Sequence, residues 1–195
     1  NWFEVMPGTN PGFLYQQNTM RDAVAGMLIL HMFHNANRRV KMANIAQMVN
    51  VLQAVILTEG ERMIKTPTYH VFKMYKVHQD ATLLDSFLET ETIGLEDEFK
   101  VPCMNESVSL GTDGKIHITL TNLSADKDYT VDGTVMDTEI KAVKGEIVTG
   151  EIHEHNTFDE PEVVTLEAFD EHKAEGSSLK FTIPAASVLH LELTV

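Results

Sequence analysis

A chain of 195 residues, 43% of them apolar, has enough material to bury a core in one large unit or two small ones. Its apolar stretches are broken by His, Asn or Arg well short of the roughly 20 residues of a membrane span, and one cysteine, Cys103, excludes an internal disulfide. A net charge of −14 repels phosphate backbones and anionic lipid. Nucleic acid and membrane surfaces are therefore set aside as partners, and a neutral ligand or substrate fits better.

The first 17 residues, NWFEVMPGTNPGFLYQQ, hold Pro7, Gly8, Pro11 and Gly12 and read as a turn or long loop with no signal peptide. Met20, Ala23, Val24, Met27, Leu28 and His31 then recur at the three-and-four spacing of one helix face, widened by Leu30 and Phe33. Thr19 with Asp22 resembles a capping box, so a helix is expected from about Thr19 to Asn35. Val40 to Ala46 is short and apolar after a basic turn and predicts a buried strand. Val51 to Leu57, the turn Thr58 to Arg62, and Met63 with Ile64 predict an irregular hairpin. Thr66 before Pro67 predicts a helix start, with Thr as cap and Pro at the first position, and the helix should end near His78.

Charge and period both change next. Four acids against eight bases give residues 1–79 a net +4, which leaves −18 for residues 80–195. Two units are expected, meeting near Gln79 to Ser86. The second has period two: Ile116, Ile118 and Leu120 alternate with His117, Thr119 and Thr121, and Leu189, Leu191, Leu193 and Val195 alternate with His190, Glu192 and Thr194. Tyr129 to Val135, Ile147 to Ile152, Val163 to Ala168 and Leu179 to Ile183 add strands. The fold class expected is therefore α/β followed by an all-β antiparallel sandwich such as a jelly roll.

Few residues point to chemistry by spacing alone. His31 with His34, and His153 with His155, are paired on a helix and a strand, but neither pair brings a third ligand at a recognised spacing, so no metal site and no cofactor are expected. Phosphate-loop and nucleophile motifs are absent from the sequence. The amides of Asn44-Ile45-Ala46-Gln47-Met48-Val49-Asn50 stand out at the end of the expected strand. They can exchange hydrogen bonds with sugar hydroxyls, or satisfy loop backbone groups.

The stretches NPGFLYQQNTMRDAVAG, RRVKMANIAQMVNVLQAVILTEGERMIKTPTYHVFKMYKVHQDATLL, HNTFDEPEVV and LKFTIPAASVLHLEL together resemble the C-terminal part of α-L-arabinofuranosidases of glycoside hydrolase family 51. The resemblance spans nearly the whole chain and is strongest from Asn10 to Leu84. It implies the C-terminal portion of a (β/α)8 barrel over 1–79 and a jelly-roll sandwich over 80–195. Both catalytic Glu residues would lie upstream, the nucleophile in an Asp-Glu-Trp segment directly before Asn1, so the segment itself is expected to be inactive. The implied reaction is retaining hydrolysis of terminal α-L-arabinofuranosyl groups on arabinan, arabinoxylan or short oligosaccharides. Gln47 matches the glutamine that hydrogen-bonds arabinose, and Trp2 matches an aromatic lining the same pocket. Association into homo-oligomers is also implied, and the compartment is left open.

Two other readings compete. The sandwich could be a carbohydrate-binding module, although its aromatics are few: Phe87, Phe99, Tyr129, Phe158, Phe169 and Phe181. Alternatively, a quarter barrel exposes apolar faces that would drive dimerisation, aggregation or local disorder in residues 1–79.

Overall fold

The computed structural model describes residues 18–45, 48–95 and 98–195. The first helix, α1 (Met20–Asn35), begins where Thr19 and Asp22 predict: the Asp22 carboxylate accepts the Thr19 backbone N–H at 2.9 Å. Of its expected stripe, Met20, Ala23, Val24, Met27, Leu30 and His31 are buried, whereas Phe33 is exposed. The expected hairpin forms from β1 (Ile56–Glu59) and β2 (Arg62–Lys65), with Gly60 supplying the positive φ of the turn. The second helix, α2 (Pro67–Tyr75), carries Pro67 at its first turn and runs on as a 3₁₀ turn, Lys76–His78.

Two local expectations are corrected. Residues 40–45 form no strand, and Ala46 lies outside the described residues. A strand exists only where a neighbour completes its hydrogen-bond ladder, so an apolar run alone cannot make one. Thr66 does not cap α2. Its buried hydroxyl donates backwards to the carbonyls of Ala54 (2.9 Å) and Val55 (3.2 Å), satisfying the loop before the hairpin.

Beyond α2 the chain is β-structure: β3 (Thr82–Leu83), β4 (Thr92–Gly94), β5 (Lys100–Pro102), β6 (Met104–Leu110), β7 (Ile116–Asn122), β8 (Tyr129–Thr134), β9 (Ala142–Thr149), β10 (Glu167–Phe169), β11 (His172–Glu175), β12 (Ser178–Ile183) and β13 (Ser187–Thr194). A six-stranded antiparallel sheet has the order β10-β9-β13-β7-β6-β3, and a three-stranded sheet has the order β11-β12-β8. The strand expected at Ile147 to Ile152 instead begins at Ala142 and ends at Thr149, and the one expected at Val163 to Ala168 is reduced to Glu167–Phe169.

Period two then decides which residues meet. Leu189, Leu191 and Leu193 of β13 join Ile116 and Leu120 of β7 and Leu179, Phe181 and Ile183 of β12 in a core between the two sheets. The opposite face of the large sheet is buried as well, where the alternation predicts one buried face per strand. Val148 and Val188 point the other way and pack with Met20, Val24 and Met27 of α1 and Val71 and Met74 of α2. The helices thus cover the sheet's second face, and strand residues that read as outward become interior: Thr119 and Thr121 are fully buried, and His117 and His190 nearly so.

Candidate functional site

The amide-rich loop, the hairpin and the start of α1 converge with residues 150–166 of the β-rich part. Val49 makes a parallel bridge to Ile56, and the N–H groups of Val55 and Ile56 both donate to the Met48 carbonyl at 3.1 Å. Asn50, at φ 56°, accepts the Thr58 N–H at 2.7 Å and donates to the Thr58 hydroxyl at 2.8 Å. For Asn50 the structural reading therefore holds: its amide pins the loop to the hairpin. Gln47 and Trp2, the two expected sugar-binding residues, lie outside the described residues.

The far side of this rim comes from the HNTFDEPEVV stretch. Met20 N–H donates to the Glu154 carbonyl at 2.9 Å, and Arg21 N–H to that of Ile152 at 3.0 Å. Asn156, buried, donates to the carbonyls of Lys65 (2.9 Å) and Val164 (2.8 Å) and accepts the Val164 N–H at 2.7 Å. The Arg62 guanidinium stacks over Phe158 and pairs with Glu59. Carboxylates at this rim serve structure: Asp22 holds Thr19 and accepts from Gln53 at 3.0 Å, and Glu154 accepts the Glu151 N–H at 2.9 Å. Asn156 has no signature in the sequence beyond its place in that stretch. Replacing it with Ala leaves buried backbone groups unpartnered, and Asn156→Ala should cost about 2 kcal/mol in urea denaturation.

A second polar assembly joins the helices to the large sheet. His31 binds Asn105 through Nδ1 (3.1 Å) and the Thr119 hydroxyl through Nε2 (2.9 Å), and His34 Nδ1 meets the Ser107 hydroxyl at 2.5 Å. His78 reaches Ser109 at 2.7 Å and the same Thr119 hydroxyl at 2.9 Å. Nδ1 of His31 donates to the Asn105 amide oxygen, so Nε2 of the neutral ring accepts the Thr119 hydroxyl proton and the hydroxyl oxygen accepts N–H from His78. Burial pushes His31 down to about 3, against the opposing hydrogen bond from Asn105. Burial, with the neighbouring imidazoles of His34, His31, His190 and His117, pushes His78 down to about 2. The His31/His34 pair is thus engaged with sheet hydroxyls and an amide. His155, of the other pair, uses Nδ1 on the His153 carbonyl.

What these elements define is a β-rich unit whose large sheet is roofed by two helices, beside a loop-and-hairpin rim. The family described as "Alpha-L-arabinofuranosidase C-terminal domain" matches residues 1–187. The chain is 46% identical over 193 residues to an intracellular exo-α-L-arabinofuranosidase of Bacteroides ovatus, an alignment covering 98% of this chain and 38% of the relative. It superposes on the crystal structure of the glycoside hydrolase family 51 arabinofuranosidase from Xanthomonas axonopodis pv. citri with a TM-score of 0.93 at 44% identity, covering 99% of this chain and 39% of that one. The Thermotoga maritima α-L-arabinofuranosidase, solved as an arabinose complex, shares the fold at a TM-score of 0.82 and 22% identity, over 100% of this chain and 41% of that one. The chain belongs to the α-L-arabinofuranosidases of glycoside hydrolase family 51, as their C-terminal part. It spans 38% of the length of its Bacteroides relative.

Proposed function

We propose that the whole enzyme carrying this chain is a retaining glycosidase that removes terminal α-L-arabinofuranosyl residues from arabinan- and arabinoxylan-type oligosaccharides. The observation that carries this reading is the 46% identity over 98% of the chain to an exo-acting arabinofuranosidase. In this reading residues 1–79 close the catalytic (β/α)8 barrel and residues 80–195 form the jelly roll beside it. Two carboxyl groups about 5 to 5.5 Å apart, on the remainder of the enzyme, act as nucleophile and acid/base. Gln47 donates to and accepts from arabinose hydroxyls, and Trp2 offers a ring to the sugar face. The enzyme assembles as a homo-oligomer, and the 195 residues alone turn nothing over, because they lack that pair.

The β-rich part then has a packing role. Burial of Phe169 and Phe181 in the core supports this over a polysaccharide-binding module, as it removes two of the six aromatics that could line a glycan groove. The test is 4-nitrophenol release from 4-nitrophenyl α-L-arabinofuranoside. The whole enzyme should turn over, and these residues alone should not. Gln47→Ala in the whole enzyme should lower kcat/KM about 10- to 100-fold, the effect of leaving sugar hydroxyls unpartnered in a closed pocket. Unchanged kcat/KM in that variant removes Gln47 from the pocket. Retardation of the 195 residues on arabinan or xylan gels would favour the binding module.

A further inference from the structure

The turn between β6 and β7 brings a carboxylate onto a buried histidine. Gly111 N–H donates to the Lys115 carbonyl at 2.9 Å, Gly114 takes φ +79°, and the Asp113 side chain folds back to accept the Lys115 N–H at 3.1 Å. The same Asp113 oxygen stands 3.3 Å from Nε2 of His117. Only glycine at 111 permits this approach, since a Cβ there would lie 2.5 Å from that oxygen and 2.8 Å from that nitrogen. Glu192 is the cross-strand partner of His117, on β13. The ligand atoms of Asp113, His117 and Glu192 all lie within 4.8 Å of one another.

A second observation comes from the histidine behind. Nδ1 of His117 is 3.0 Å from Nε2 of His190, and the rings stack. His190 is 6% exposed, yet its Nδ1 has no hydrogen-bond partner, and the nearest carboxylate oxygen, of Glu146, is 3.8 Å away. With a cation on Nε2 of His117, the ring's proton stands on Nδ1 and donates to Nε2 of His190, which leaves the His190 proton on Nδ1, facing Glu146. That is the arrangement by which a metal-bound histidine is oriented from behind. The Asp113–His117 distance agrees: 3.3 Å is long for an N–H···O bond, but close to the ligand–ligand edge of a tetrahedral site with bonds of about 2.0 to 2.1 Å.

We propose that Asp113, His117 and Glu192 form a site for a zinc-class divalent cation, clasping the β6–β7 turn to β13, with His190 and Glu146 as positioning residues. One imidazole and two carboxylates leave a fourth position for water. Lys115 competes with the cation for Glu192, because its ammonium sits 2.5 Å from that carboxylate and would have to be displaced.

The experiment is calorimetric titration of zinc chloride into the untagged protein that carries these residues. One equivalent should bind at micromolar Kd or tighter, with tetrahedral d–d bands when cobalt(II) replaces zinc. His117→Gln should weaken binding at least 100-fold, His190→Gln about 10- to 100-fold. Lys115→Met should tighten it, and the double variant His153→Gln/His155→Gln should leave it unchanged. Should His117→Gln lose its folded circular dichroism, Asp113→Asn and Glu192→Gln replace it, and each should weaken binding at least 10-fold. Absence of saturable binding, binding lost with the His153/His155 variant, or unchanged or weaker binding in Lys115→Met overturns the site.

Discussion

Between pH 7 and pH 5, in addition to the losses from the buried His70 and His190, each held down to about 4, His31 and His78 are each expected to remove about 2 kcal/mol of folding stability. Both are buried and held neutral in the folded protein, at about 3 and about 2, and return to about 6.5 on unfolding. The unfolded chain therefore binds protons first as pH falls. The neutral form's advantage is complete above about 6.5 and is lost below it, by about 1.4 kcal/mol per pH unit for each histidine. The groups facing them are His34 and Tyr75 from the helices and Asn105, Ser109, Thr119, His117 and His190 from the sheet, so among the described residues no carboxylate stands ready to hold an imidazolium at either ring. Urea denaturation at the two pH values measures the loss. His78→Gln should remove about 2 kcal/mol of it, and a stability flat over this window would show that these rings accept protons in place.

Thr119→Val should destabilise the protein by about 3 kcal/mol, far more than its near-identical volume suggests. The hydroxyl is the shared partner of His31 and His78 at 2.9 Å each, and the side chain is fully buried. A methyl group in its place leaves two imidazole nitrogens unpartnered between α1, the 3₁₀ turn and β7, at about 1 to 3 kcal/mol each. Thr121→Val is the control. Its equally buried hydroxyl makes one bond of 3.3 Å, to the Ser187 carbonyl, and its loss should cost under about 1 kcal/mol. Equal losses in the two variants would place the strength of the seam elsewhere.

That seam marks where sequence reading stops. Thr19 with Asp22, the stripe Met20 to His31, and Pro67 are local signals, and they placed both helices correctly. The alternation in β7 and β13 identified Leu189, Leu191 and Leu193 as core. The same alternation cannot tell that α1 and α2 cover the other face, because the helix is distant in sequence from the strand it roofs. His31 and Thr119 are 88 residues apart. β3, β4, β5 and β11 have only two to four residues, too few to establish a period. The strand expected at Val40 to Ala46 does not form over residues 40–45 for the converse reason: apolar composition is visible in a sequence, but pairing partners are not.

Of the candidate site, Asn50 could be read as an amide at a loop, and only its bonds to Thr58 decide its role. Gln47 and Trp2 came from family resemblance rather than spacing. The cluster of Asp113, His117 and Glu192 was hidden because two of its members sit four residues apart across a turn while the third arrives by cross-strand register.

The central functional claim is that this chain contributes its loop at position 47 to an arabinose pocket completed by the rest of the enzyme. A crystal structure of the whole enzyme with L-arabinose bound tests it most directly. The account predicts the Gln47 amide within about 3.2 Å of an arabinose hydroxyl, with two carboxylates from the remainder of the chain flanking the anomeric carbon. Arabinose bound elsewhere, with Gln47 turned to its own loop backbone, would contradict it.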